Sequence, residues 1–456
     1  MHTSTMDVFK QDLVQKGVCN TSRLEEDVFD SHGMVKESAD LIELLELGAM
    51  YPLQKKYVPS NQVLESAHGK YTQYEERARI NVRGATTEML DILLAEGSGP
   101  YEMALYEKIY LHTIKAMNYL MIGKVEGARV EVMRGIRQHS RVKEMAEFKT
   151  AEINTSKALV KQQAEQAEIN DINVDDQIYH LTRQAGLSAN QAQAVISLRN
   201  SYENGFTYLL SALVFSLNHE PENARPQLKN ANDITENQYV KRLFSDFRKD
   251  SSSLISKNNV FVFTQTGFAP TRENAQFPFY NPVSKTLTSF CISKLARVPS
   301  TIAAVDILDN ASRVSGRMMP LADLDQLALK QYQEDLPFKI TKAVLRVLWQ
   351  TIRDKGLIDK TKSETQDEVL EKIVKAFLSL FNLVVNQADL RAWNMVPRKT
   401  LFYCGNLDEP GLTIKVSNLS GKVLEQKLPI DPDAVNIVWA RCIGSTLFVS
   451  SYAFNR

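Results

Sequence analysis

The sequence predicts an α+β protein, with an all-helical N-terminal half and a C-terminal α/β region ending in a small antiparallel β-sheet or sandwich. Three observations predict it. From about Lys36 to Leu254 glycine and proline are sparse, and apolar residues recur every three or four positions, the period of a helix. Within that stretch one set of small and aromatic residues occurs twice at identical spacing. Near residue 257 the texture turns β-branched and aromatic, punctuated by Gly, Pro and Asp. The 456 residues exceed what one ordinary core organises. The expected divisions are an N-terminal extension at 1–35, a helical domain at 36–256, a mixed strand and helix domain at 257–399, and a β-rich module at 400–456 packed on it.

Along the helical half, Leu41, Leu44, Leu45 and Gly48 form one stripe, and Met89, Ile92, Leu93 and Leu94 another. Arg141–Asp171 is polar and free of Gly and Pro, so it reads as a long, largely exposed helix, one arm of an antiparallel pair, ended by Asn170–Asn173. The longest apolar run, Tyr208–Leu217, is about half the ~20 residues needed to span a bilayer and reads as a buried helix.

The repeat carries the most information. Ala116, Tyr119, Gly123, Ala128 and Gly135 recur 96 residues later as Ala212, Phe215, His219, Ala224 and Ala231. Small residues let two helices cross closely, an aromatic fills the gap one turn on, and a turn follows before the second helix docks. This is the spacing of a tetratricopeptide hairpin. Leu41–Ala67 reads as a third, degenerate copy around Leu47-Gly48. Two separated hairpins are too few for a continuous solenoid, so a compact helical domain is expected.

Beyond residue 257, Asn259–Thr264 reads as a strand broken by Gly267–Pro270. Phe277–Pro282 reads as an aromatic, proline-rich loop, and Thr286–Ala296 as a second strand. Helices are expected at Leu321–Glu334, Phe338–Lys355 and Ser363–Val385. Strands follow at Thr400–Cys404, Leu412–Ser417, Val423–Leu428, Val435–Cys442 and Thr446–Ala453, separated by Gly- and Pro-containing turns.

The chemistry inventory points away from catalysis. All seven histidines lie at or before residue 219, so the C-terminal half lacks an imidazole of its own to activate Cys291 or a serine. There is no His-x-x-x-His, no Walker-type phosphate loop, no Gly-x-Gly-x-x-Gly and no Gly-x-Ser-x-Gly. Gly97-Ser98-Gly99-Pro100 reads as a helix stop, and Asp323 with Asp325 as a charged helix face. No cofactor and no metal are expected. Lys+Arg 54 equals Asp+Glu 54, leaving no global field for nucleic acid or an anionic membrane. Cys404 and Cys442 are close enough in the β-rich tail to pair if the protein is exported, though idle thiols are the plainer expectation. The first residues carry neither a basic nor an apolar leader segment. The candidate contact residues are Phe277, Phe279 and Tyr280, whose stiff apolar surface costs little entropy to present. Asp389, Arg391 and Trp393 read as a joint, an ion pair beside a plug for the sheet.

At Ala116–Gly123 with Ala128–Arg134, then Gly267–Pro270, then Ala388–Trp393 before Val396-Pro397, the chain resembles a little-characterised family of bacterial tetratricopeptide-like envelope lipoproteins. The resemblance implies an exported, outer-membrane-associated protein that works by protein–protein contact in envelope assembly, alongside activators of peptidoglycan synthesis or parts of surface machines. It supplies no catalytic residues. The family's lipid-attachment signal is missing, since Cys19 follows Gln15-Lys-Gly-Val18 with no apolar segment before it. The expected compartment is periplasmic or outer-membrane-associated if a targeting segment has been removed, and cytoplasmic otherwise. The expected role is a non-enzymatic scaffold or adaptor. The alternatives are a structural subunit of an envelope or secretion assembly and a cell-wall enzyme of unfamiliar type.

Overall fold

Helical periodicity in the first 256 residues becomes α1 (His2–Lys16), α2 (Ser22–Val28), α3 (Leu41–Met50) and α4 (Tyr57–Arg83) at the start. They are followed by α5 (Leu90–Leu94), α6 (Leu105–Met121), α7 (Val125–Ser140) and α8 (Val142–Gln166). Then come α9 (Asp175–Gln184), α10 (Ala189–Val195), α11 (Gly205–Leu217), α12 (Pro221–Ile234), α13 (Gln238–Lys249) and α14 (Ser253–Ser256). The computed structural model describes residues 2–86, 89–94, 99–169, 173–298, 301–365 and 388–455. The fold is mixed α/β, helical in its N-terminal part with largely antiparallel sheets after it. Helix starts follow local chemistry. The Asn204 side chain accepts from Phe206 N at 2.9 Å to open α11, and Asn237 accepts from Tyr239 N at 3.0 Å to open α13. Among the described residues no helix is long and apolar enough to cross a membrane.

The two matched hairpins, α6–α7 and α11–α12, end their first helices on the same backbone bonds. Gly123 N donates to Leu120 O at 3.0 Å and Lys124 N to Tyr119 O at 2.9 Å. At the equivalent places His219 N donates to Ser216 O at 3.1 Å and Glu220 N to Phe215 O at 2.8 Å. Gly123 and His219 both adopt the left-handed conformation, at φ +72° and +58°. This is the Schellman stop, in which one left-handed residue turns the chain and satisfies the last carbonyls. Ala116, Ala128, Ala212 and Ala224 have no exposed surface, Phe215 is buried and Tyr119 half-buried. The α3–α4 pair departs from the expected third copy. Its turn lies at 51–56, with Lys55 left-handed, whereas Gly48 sits inside α3 where the Leu64 side chain leaves no room for a Cβ.

The strands are β1 (Val260–Thr266), β2 (Thr271–Asn281), β3 (Thr286–Ala296), β4 (Ile302–Asp309), β5 (Val314–Arg317) and β6 (Met319–Asp323). The long helix α15 (Leu324–Thr365) precedes β7 (Lys399–Gly405), β8 (Leu412–Asn418), β9 (Val423–Leu428), β10 (Val435–Ile443) and β11 (Thr446–Phe454). A five-stranded sheet runs β11-β10-β1-β7-β6, parallel only between β1 and β10, and a four-stranded sheet runs β5-β4-β8-β9. β1 and β10 are buried along their whole length, as strands covered on both faces must be. Phe261, Phe263, Phe402 and Ile437 face the helical core, while Val260, Val262, Val438 and Ala440 pack on Val305, Ile307, Ile414 and Val416 of the second sheet. The layers are therefore helices, five-stranded sheet, four-stranded sheet. A separate core joins the β2–β3 hairpin, α8, α9 and α15.

Several expectations are corrected. Phe277–Asn281 is strand, not loop: β2 pairs with β3 alone, and a proline such as Pro278 is tolerated on an edge strand. The first two expected helices are one, α15, which runs through Pro337. Burial of Leu336, Ile340 and Val344 offsets the lost bond. Of the expected Ser363–Val385 helix, residues 366–385 lie outside the described residues. Within the expected N-terminal extension, Met6, Leu13, Leu24 and Val28 are buried in the main core. Both larger sheets draw strands from either side of residue 399, which ties the two expected C-terminal units into one. Cys404 and Cys442 lie on opposite flanks of β1, paired with Phe261 and Thr266, and all four cysteines are free thiols.

Candidate functional site

A cleft of about 460 Å³ opens where the helical half meets α15 and the β2–β3 hairpin. Its walls come from the 99–106 segment, α8, Ser201-Tyr202, Arg272 on β2, Ser293 and Leu295 on β3, α15, and Asp389. That volume lies within the ~300–1,000 Å³ of small-ligand sites. Ion pairs tie α8 to α15 across it: Lys149 Nζ meets Asp335 Oδ1 at 2.5 Å and Lys342 Nζ meets Glu152 Oε1 at 2.9 Å. Ser201 Oγ donates to Glu334 Oε2 at 2.6 Å. Tyr106 and Tyr332 supply buried aromatic wall, with Lys339 Nζ 5.8 Å from the Tyr332 ring centre.

Two charged side chains in the cleft, Glu102 and Arg272, make no hydrogen bond or ion pair among the described residues. Crowding opposes ionisation of Glu102, but Lys149, Lys342, Lys108 and Lys339 outweigh it and hold its carboxyl below the usual range. Burial opposes the charge on Arg272, and Tyr101, Glu107, Tyr106 and Asp389 outweigh that in turn, raising its basicity. Lys149 is likewise raised, since Asp335 and Glu102 overcome its burial. The lining holds neither histidine nor cysteine. What the lining offers is charge of both signs beside aromatic surface.

The Asp389–Arg391 pair braces the cleft. Arg391 Nε and Nη2 grip Asp389 at 2.9 and 2.8 Å, and Nη2 also donates to Gly99 O at 2.8 Å. Burial raises the Asp389 carboxyl, yet bonds from Arg391 bring it below its ordinary value. Trp393 lies away from the cleft, buried edge-on to Tyr110 with centroids 6.4 Å apart. The backbone N–H groups of Asn394 and Met395 donate to the buried carboxylate of Glu46 at 2.7 and 2.8 Å. Burial pushes that carboxyl up to about 7 despite these bonds. Phe277 and Phe279 are buried against Phe290, whereas Tyr280 is 50% exposed; none of the three lines the cleft. Asp323 and Asp325 do not form the expected charged helix face: Asp325 is fully buried between Arg398 and Arg297, and Asp323 ends β6 and caps the start of α15 at Gln326 N.

A second polar cluster lies inside the α4–α6–α7 stack. His112 Nδ1 sits 2.8 Å from Glu131 Oε2, and Lys115 Nζ sits 2.9 Å from Glu131 Oε1; all three residues are buried. His68 stands edge-on to His112 with ring centroids 5.0 Å apart, and its Nδ1 is 2.9 Å from the Tyr71 hydroxyl. No hydroxyl or thiol nucleophile is hydrogen-bonded to His112 among the described residues, and the arrangement reads as a structural network.

Sequence spacing had no means of finding Glu102, Lys149, Arg272, Lys339 and Lys342, because they converge from four separate segments. Only Lys149 with Glu152 and Lys339 with Lys342, each three residues apart on a helix, mark shared faces. No protein-family model matches the chain, and no curated protein or solved structure matches it either, so a functional reading rests on these residues and their geometry.

Proposed function

We propose that this protein is a non-enzymatic scaffold or adaptor of the bacterial cell envelope that holds a segment of a protein partner in the cleft. The observation that carries the reading is the cleft itself, assembled from both halves of the chain and lined by charges of both signs beside aromatic surface. Such a lining suits a peptide better than a polyanion. Glu102 and Arg272 are the groups left for a partner's ammonium and carboxylate. The tetratricopeptide-like spacing of the two hairpins supports a binding role, and the envelope assignment rests on the family resemblance. Docking through sheet edges has less support, because edge strand β9 carries Glu425 and Lys427, charges that discourage strand addition.

Crosslinking in the native cell followed by fractionation tests this. Wild type should retain a protein partner in the envelope fraction, and Ala146→Trp, which fills the cleft from an exposed position on α8, should lose it. Arg272→Gln and Glu102→Gln should each weaken capture. Equal capture by Ala146→Trp, or none by wild type, overturns the reading.

A further inference from the structure

Arg441 lies on β10 at the interface between the sheet and the helical layer, with 2% of its surface exposed. A guanidinium stays charged at any ordinary pH, so when buried it needs a counter-charge. Arg441 has no carboxylate partner among the described residues. Nη2 donates to the carbonyls of Gly267 at 2.7 Å and Met395 at 3.1 Å, and Nη1 is buried with no partner. Burial pulls the group down to about 10.

The side chain faces a cavity of about 30 Å³ walled by Tyr110, Gln265, Met117, Met121 and Phe206. Gln265 Nε2 donates to the Tyr110 hydroxyl at 2.8 Å, and no hydrogen bond joins Gln265 to Arg441 among the described residues. The space suits an occupant of water size and excludes phosphate esters and larger carboxylates. A water molecule would satisfy the N–H and leave the charge uncompensated. A small anion does both.

We infer that this cavity is a site for a monovalent anion of halide size, chloride in a cell, bound by Arg441 between the five-stranded sheet and α6. The anion acts as a buried counter-ion that fastens the helical layer to the sheet. It is independent of the cleft and of the partner.

Thermal unfolding of the full chain in sodium chloride against sodium gluconate at equal ionic strength tests it. Chloride should raise Tm by about 2 °C and saturate, as binding to the native state alone requires. Arg441→Met should abolish the difference. Wild-type crystals soaked in sodium bromide give a second readout that needs no variant: an anomalous peak within about 3.5 Å of Nη1. A non-saturating rise, a rise that persists in Arg441→Met, or water in place of bromide overturns the inference.

Discussion

The hairpins α6–α7 and α11–α12 share a turn and differ in what they bury. Both stop their first helix with a left-handed residue at the equivalent position, Gly123 or His219, and with the same pattern of backbone bonds. Yet α11 is buried almost throughout among apolar neighbours, its Phe206 5.3 Å from Phe263 of the sheet, while α6 buries Lys108, His112, Lys115 and Asn118 against α4 and α7. Glu131, centre of the charged network, has Gln227 as its counterpart 96 residues on. The backbone turn is thus set by local chemistry, and the side-chain content by which neighbour each helix meets.

The sharpest way to break this comparison is to remove the two counterparts. Glu131→Ala leaves Lys115 and His112 without their shared carboxylate and should cost about 3 kcal/mol, because a buried ion left alone is expensive. Gln227→Ala should cost about 1 kcal/mol or less. Urea midpoints measure both, and equal losses would mean that the network is idle. Next in size, Ala116→Leu and Ala212→Leu each overfill a closed crossing and should cost about 2 kcal/mol. A tolerated leucine in either would show that the helices do not meet there.

The turn itself gives opposite signs. Gly123→Ala should lose about 1 kcal/mol or more, since its conformation is left-handed and the new Cβ falls on Tyr452. His219→Gly relieves the same strain and should gain up to about 0.5 kcal/mol after the entropy of the unfolded chain is charged against it. Acid sensitivity gives a further test. Burial, with His112 beside it, holds His68 at about 4, whereas an unfolded histidine takes its proton near 6.5. As pH falls from about 6.5 toward 4 the unfolded chain binds the proton first, so stability declines. His68→Gln should therefore show a smaller drop in Tm than wild type between about pH 7 and pH 5. An unchanged drop would move the sensitivity elsewhere.

Much of the fold was legible because local signals agreed. The five strands from Thr400 onward are found within a residue or two, each bounded by a Gly or Pro turn and rich in β-branched residues. Prolines misled in two places. At Pro278 the alternation of buried Phe277 and Phe279 with exposed Tyr280 was present in the sequence but overridden by the breaker. At Pro337 tertiary burial carried a helix through it. β5 is a four-residue edge with an exposed face, which leaves no pattern to read. The cleft was legible only in its brace, Asp389 and Arg391, two residues apart. Its other charges meet through long-range packing, which spacing does not encode.

The position of β1 has a consequence for how the protein is made. Its neighbours, β7 and β10, emerge from the ribosome more than a hundred residues after it. Until then Val260-Phe-Val-Phe263, an apolar stretch of high strand propensity, has neither lateral partner. The nascent chain must keep it from self-pairing for that interval, and the long sequence separation slows its eventual docking. Biosynthesis should therefore depend on a holding chaperone while residues 267–434 are being translated.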